Sequence, residues 1–180
     1  GSLPSALYGP LHGPGYSGGG GISGNYVLPG AALSDDFHVY AIEWEENRIR
    51  WFIDGLQFFT LTPNNLPGGS AWVFNTPQFL ILNVAVGGNW PGNPNGTTLF
   101  PQRMTVDYVR VYTPDSGGGN SVLQDPGFET AGLPDWTTVG GNVYSETGTV
   151  HEGSRSIKVF GQFTGATNDS GVYQNISAAA

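Results

Sequence analysis

The sequence contains no cysteine. A disulfide framework, a thiolate metal site and a cysteine nucleophile are thereby excluded, while the compartment stays open on that count. Basic residues are scarce as well, with six Lys and Arg against 14 Asp and Glu and a formal net charge of -8 over 180 residues. Nucleic-acid binders and proteins of anionic membrane surfaces rely on clustered Lys and Arg, so neither nucleic acid nor membrane is expected as a partner. No segment has the length of a membrane span or the layout of a signal peptide. The first residue is Gly rather than Met, however, so an internal piece of a longer product is expected and the missing leader carries little weight. No stretch sustains a period of 3.6 residues, which leaves almost no room for helix. Neutral polymers remain open as partners.

What is abundant points to strands and turns. There are 29 Gly and 13 Pro, and aromatic residues (13%) outnumber charged ones (11%). Gly and Pro punctuate turns, whereas aromatic and β-branched residues suit a pleated surface, so the chain reads as all-β. FHVYAIEW (37–44) and RIRWFID (48–54) form a predicted hairpin across Glu45-Glu46-Asn47, and Asp54-Gly55 turns the chain again into LQFFTL. FLILNVAV (79–86) is apolar at successive positions, as a strand covered on both faces would be, with Asn83 needing partners inside it. MTVDYVRVY (104–112) alternates, placing Met104, Val106, Tyr108 and Arg110 on one face and Thr105, Asp107, Val109 and Val111 on the other. After Tyr112 the texture becomes that of a flexible linker, TPDSGGGNS. The expected organisation is therefore a first domain over 1–113, a Gly-rich linker over 114–120, and a strand-rich, truncated second domain over 121–180. GYSGGGGISG lacks the strand-to-helix context of a phosphate loop and is read as a surface loop.

Candidate chemistry is sparse. Acid/base work on a glycosidic bond needs two carboxylates about 5 to 9.5 Å apart. Glu43 and Glu45 would share a strand face roughly 6.5 to 7 Å apart, but they flank a turn, and a solvated strand edge accounts for them. His12, beside Gly13-Pro14-Gly15, is either an exposed structural residue or an imidazole presented to a ligand. His38 reads as packed within its strand. Trp90 in GGNWPG follows a strand directly, inside a glycine-rich turn, and suits stacking on the apolar face of a sugar ring. Asp107 lies among Val109 and Val111 and must be paired, hydrogen-bonded or metal-bound. Asn-x-Ser/Thr triplets at Asn95, Asn168 and Asn175 are weak evidence of glycosylation.

YGPLHGPGYSGG, DDFHVYAIEW, IRWFIDG, LILNVAVGGNWPG and FPQRMTVDYVRVY, in that order and spacing, closely resemble the C-terminal half of glycoside hydrolase family 16, in particular its bacterial laminarinases, the endo-β-1,3-glucanases. The resemblance covers about residues 1–113. It implies a jelly-roll β-sandwich, here lacking its N-terminal strands, whose concave face binds a β-glucan, and a retaining double displacement between two Glu residues. The family's Glu-x-Asp-x-x-Glu segment would precede Gly1, so the resemblance assigns no catalytic residue to this chain. It implies substrate-binding roles for His12, Asn89 and Trp90, and a structural calcium ion, seen in several relatives, at the position of Asp107. No other cofactor follows from it. Residues 121–180, with QDPGFET, DWTTVGG, VHEGSRSIKVFG and GVYQNIS, resemble the start of a carbohydrate-binding module of the family 4 and 9 type, a second sandwich in which Trp136 and Tyr144 are candidates for glycan contact, with core packing the expected fate of Trp136. The resemblance thus implies part of a secreted, extracellular glucan hydrolase, monomeric in its full-length form. A non-catalytic glucan-binding or lectin-like protein on the same sandwich is the competing reading.

Overall fold

A computed structural model describes residues 3–89, 92–112, 121–161 and 171–174. It is all-β among these residues, apart from single 3-10 turns at Gly18–Gly20 and Pro63–Asn65. The chain divides into two compact units, 1–77 and 78–180.

In the first unit, β1 (Ala6–Leu11) pairs antiparallel with β2 (Ile22–Val27), and β3 (Tyr40–Glu45), β4 (Arg48–Ile53) and β5 (Leu56–Leu61) form an antiparallel meander in that order. Local chemistry sets the turns. Asn47 takes φ 59°, a left-handed conformation its short polar side chain tolerates, and Asp54 and Gly55 take φ 49° and 80°, the paired positive φ values of a type I′ hairpin turn. Along β4 the alternation predicted from RIRWFID holds: Ile49 and Ile53 are buried, while Arg48 and Arg50 lie across the strand from Glu45 and Glu43 on the opposite face. Leu11, Tyr16, Ile49 and Leu61 form the buried centre of this unit, packed by Ile22, Trp51, Phe59, Leu66, Trp72 and Phe74. The layers approach closely at glycine. A Cβ on Gly9 of β1 would stand 2.8 Å from Cδ1 of Trp51 on β4, and one on Gly24 of β2 would overlap the Phe59 ring on β5.

The second unit holds β6 (Leu82–Asn83), β7 (Gln102–Val106), β8 (Thr137–Val139), β9 (Val143–Glu146), β10 (Ser156–Gly161) and β11 (Gly171–Tyr173). These make two antiparallel sheets, β7-β10-β9 and β6-β11-β8. Leu123, Phe128, Leu133, Trp136, Ile157, Val159 and Val172 are buried together, with Leu82, Val84, Met104, Val106, Val109, Val111 and Val143 packed on them. Each such side chain, fully buried, is worth roughly 1.5 to 3 kcal/mol.

Three expectations change. The compact units divide after Pro77, because β7 pairs with β10 and β6 with β11, and the expected linker over 114–120 lies outside the described residues. The continuous strand over 79–86 shrinks to Leu82–Asn83, with Phe79 and Ile81 exposed: only Leu82 and Val84 find the core. The two-faced strand over 104–112 ends at Val106, and the chain beyond it turns Val109 and Val111 toward the core that Met104 and Val106 already join. The glycine-rich loop over 15–24 is partly strand, since Ile22–Val27 pairs with β1 and its glycine permits the contact with Phe59.

Replacing Gly24 by Ala is expected to cost about 1 to 3 kcal/mol, because the added methyl overpacks the Phe59 ring. Gly68→Ala, in open space, is expected to be neutral or to stabilise by up to about 1 kcal/mol. Denaturant melts of the two variants check the difference.

Candidate functional site

His12 follows the last residue of β1. The next four residues close a tight turn, with Tyr16 N donating to Gly13 O at 3.0 Å and Gly13 N to Tyr16 O at 3.2 Å. Pro14 and Gly15 occupy its centre, and Gly15 supplies the positive φ (88°) that a type II turn requires. Tyr16 is fully buried and its hydroxyl donates to the carbonyl of Ala71 at 3.0 Å, pinning the turn from beneath. That burial pushes the phenol's pKa up. The imidazole of His12 rests on Gly21, where no Cβ would fit. An exposed imidazole therefore sits on a backbone pedestal. The pedestal residue Tyr16 escaped the sequence reading, although the Gly-Pro-Gly-Tyr order carried the turn signal.

Asn89 lies in the second unit, exposed in a loop whose ends meet through Gly92 N donating to Gly88 O at 3.0 Å. Gly87, Gly88 and Gly92 all take positive φ, so glycine makes this loop close. Trp90, expected to stack on a sugar, lies outside the described residues. His12 and Asn89 belong to different units and are positioned separately.

The carboxylates are occupied. Glu43 and Glu45 share a face as their spacing predicts, but Arg50 bridges them at 2.5 and 2.7 Å, and Arg48 also pairs with Glu45. The hydrogen bond from Arg48, reinforced by Arg50, holds the Glu45 carboxyl below the usual carboxylate range, the wrong direction for a general acid at neutral pH. Glu129 accepts from the backbone and hydroxyl of Ser154 at 2.9 and 2.6 Å, and Glu146 pairs with Lys158. Asp54 accepts from Val39 N at 2.8 Å and stands 2.7 Å from Nδ1 of His38, which packs two residues before β3 rather than within it. The His38 hydrogen bond lowers the Asp54 pKa.

Buried Asp107 accepts from the backbone N–H groups of His151 at 2.8 Å and Glu152 at 3.0 Å. Of the three states left open for this carboxylate, hydrogen bonding accounts for its burial. The donors around it do not fit calcium, which takes six to eight oxygens, and among the described residues no group of three His, Cys, Asp or Glu could hold a metal ion. Trp136 is only 5% exposed, its ring 4.8 Å from that of Phe128 and its Nε1 donating to Asp125 O at 3.1 Å. Core packing, not glycan contact, is its position in the fold. Tyr144 stays 53% exposed, held edge-on to Phe160 with its hydroxyl donating to Gly141 O.

Residues 3–110, more than half of the chain, match glycosyl hydrolases family 16. The chain belongs to that family. Among family 16 relatives, the chain is 38% identical to glucan endo-1,3-beta-glucosidase A1 of Niallia circulans, over 62% of this chain and 18% of that protein. It is 39% identical to the beta-glucanase of Rhodothermus marinus, over 61% of this chain and 40% of that one. The catalytic domain of an endo-1,3-beta-glucanase (laminarinase) from Thermotoga petrophila RKU-1 superposes with a TM-score of 0.52 and 29% identity, covering 97% of this chain and 46% of that domain. The chain thus spans less than half the length of these relatives, and its all-β fold is that of the family 16 jelly-roll sandwiches.

Two outcomes follow from these carboxylates. Because the Asp54 pKa is depressed in the folded state, its contribution is present above the unfolded value near 3.8 and is lost as pH falls through the lower folded value. Asp54→Asn is therefore expected to lower stability at pH 7 and to flatten the acid limb of a stability-versus-pH profile below about pH 4. Asp107→Ala, which orphans two partly buried N–H groups, is expected to cost about 2 to 4 kcal/mol, while EDTA leaves the melting temperature unchanged. Thermal melts with and without chelator check both.

Proposed function

We propose that this chain is part of a secreted, monomeric hydrolase of β-1,3-glucan, acting by retaining double displacement with its two catalytic Glu residues outside the 180 residues. The observation that carries the location of the acids is the engagement of Glu43, Glu45, Asp107, Glu129 and Glu146 in ion pairs or backbone hydrogen bonds, which leaves none of them a pair able to share nucleophile and acid roles. Similarity to proteins named as endo-1,3-beta-glucosidase and laminarinase supports the substrate class. A polysaccharide too large to cross a membrane supports action outside the cell.

In this reading His12 serves as a hydrogen-bonding residue toward the sugar, supported by its exposure on a rigid turn. Asn89 offers an amide to sugar hydroxyls from the glycine-closed loop, and Trp90 a stacking platform. The chemistry needs no cofactor. For residues 121–180 we retain the reading of a segment from a glycan-binding module, supported by the open ring of Tyr144. The same engaged carboxylates would also suit a glucan-binding protein without catalysis, and one assay separates the two.

Reducing-sugar release from laminarin is expected from this chain joined to the remainder of a family 16 domain, and not from the 180 residues alone. In the joined form His12→Ala is expected to lower kcat/KM about tenfold, the loss of one hydrogen bond worth about 1.4 kcal/mol. Laminarin binding without release by the joined form would favour the non-catalytic alternative, and release by the short chain alone would return catalysis to Glu43 and Glu45.

A further inference from the structure

Asn95 heads a triplet, Asn95-Gly96-Thr97, that no part of the proposed activity uses, and it forms the one Asn-Gly pair in the 180 residues. Asn is thermolabile because the backbone nitrogen that follows it can attack the side-chain amide carbon, and Gly, without a Cβ, leaves that nitrogen least hindered. How readily the attack proceeds depends on how the side-chain carbonyl is held. Between β6 and β7, residues 95–98 hold it in a closed turn. Thr98 N donates to Asn95 O at 3.0 Å and Asn95 N to Thr98 Oγ1 at 3.1 Å. Thr97 N and Thr97 Oγ1 both donate to Asn95 Oδ1, at 2.9 and 2.7 Å. Every partner lies inside the turn, so the arrangement needs no other part of the chain.

Two donors converging on one carbonyl oxygen at these distances have the geometry of an oxyanion hole, in which donors stand about 2.7 to 3.1 Å from the oxygen that gains charge. We propose that Asn95 is a site of self-modification, where the turn promotes closure of the Asn95-Gly96 pair to a cyclic imide and then, by water, to aspartate or isoaspartate. Gly96 N gives its proton to water or hydroxide and bonds to Cγ of Asn95, while the carbonyl electron pair moves onto Oδ1 between the two Thr97 donors. Its return breaks the Cγ–Nδ2 bond, and Nδ2 takes a proton from water and leaves as ammonia. Water then opens either imide carbonyl. In sum one water is consumed and one ammonia released, with no redox partner. The product carries a carboxylate in place of a neutral amide. In the isoaspartate form the main chain also gains one carbon, which breaks the register of Asn95 O with Thr98 N.

Asp54-Gly55, the one Asp-Gly pair, is held in the opposite way. An aspartate cyclises by expelling a carboxyl oxygen as water, which requires the protonated acid. Asp54 Oδ1 instead accepts from Val39 N at 2.8 Å, and Oδ2 stands 2.7 Å from Nδ1 of His38. The His38 hydrogen bond holds the carboxyl below the usual carboxylate range, so it stays ionised near neutrality. Both oxygens are tied to residues before β3, away from Gly55 N. Asp54 therefore persists where Asn95 reacts.

The test incubates the 180-residue chain in mildly alkaline buffer and follows Asn95 by peptide-mapping mass spectrometry and by enzymatic methylation of isoaspartate. The folded chain is expected to react at least about threefold faster than the same chain unfolded in guanidinium, which has lost the two placed donors. Thr97→Val, which removes the hydroxyl donor, is expected to slow the folded rate about three- to tenfold. Thr97→Ser, which keeps it, is expected to stay within about twofold. Gly96→Ala is expected to slow the reaction at least about fivefold by hindering the attacking nitrogen, and a Cβ there meets open space, so the turn is kept. Should Thr97→Val lose the turn, the comparison of folded with unfolded wild type decides instead. A folded rate at or below the unfolded one, or a folded Thr97→Val chain that reacts like the wild type, would overturn the proposal. So would modification appearing first at another Asn, or isoaspartate arising at Asp54 as fast as at Asn95.

Discussion

The close stacking of the β1–β2 layer on the β3–β4–β5 meander depends on two missing Cβ atoms. At Gly9 and Gly24 the backbone itself rests against the rings of Trp51 and Phe59, and any side chain there would displace an aromatic group from the core. Interiors are packed to the density of organic crystals, so a methyl group at such a point is felt through the whole layer. The approach sets the height of β1 above the sheet. It therefore also sets where the chain leaves β1 and where His12 emerges, since the turn that follows is fixed from below by Tyr16 and its hydrogen bond to Ala71. The steadiness of this turn comes from glycine and one buried tyrosine.

Charge is handled locally throughout. With only six basic residues against 14 acidic ones, the chain cannot neutralise its acids at long range, and it does so by short contacts instead. Arg50 serves both Glu43 and Glu45, Lys158 serves Glu146, and Asp107 and Glu129 are satisfied by backbone N–H groups. Backbone donors can satisfy a carboxylate without a counter-charge because each bond to an ionised acceptor is strong. The hydrogen bonds that Glu45, Glu129 and Glu146 accept hold their carboxyls below the usual carboxylate range. They are poorly suited to the acid role in glycoside hydrolysis, which needs a carboxyl that holds its proton near neutrality.

Where local pattern and turn chemistry agreed, the sequence was legible. The β3–β4–β5 meander follows from alternation plus Glu46-Asn47 and Asp54-Gly55, and residues 121–174 are strand-rich as expected among those described. Legibility failed where glycine or unbroken apolarity removed the signal. Ile22–Val27 is a strand because of its partner β1, not its composition, and FLILNVAV looked buried throughout although only part of it meets a core. Of the candidate site, the exposed placement of His12 and Asn89 could be read from their glycine neighbours. Core packing was the expected fate of Trp136, and its contacts with Phe128 and Asp125 bear that out.

By itself the sequence determined an all-β chain of family 16, because alternation, turn residues and ordered motifs are local properties that survive without knowledge of partners. It also excluded cysteine chemistry in these residues, since they contain no cysteine. Tertiary structure decided which strands share a sheet, pairing β7 with β10 and β6 with β11, and which apolar residues stay open on β3. Both outcomes depend on pairing between segments far apart in the chain. Burial is a property of neighbours, and neighbours are assigned only by the fold.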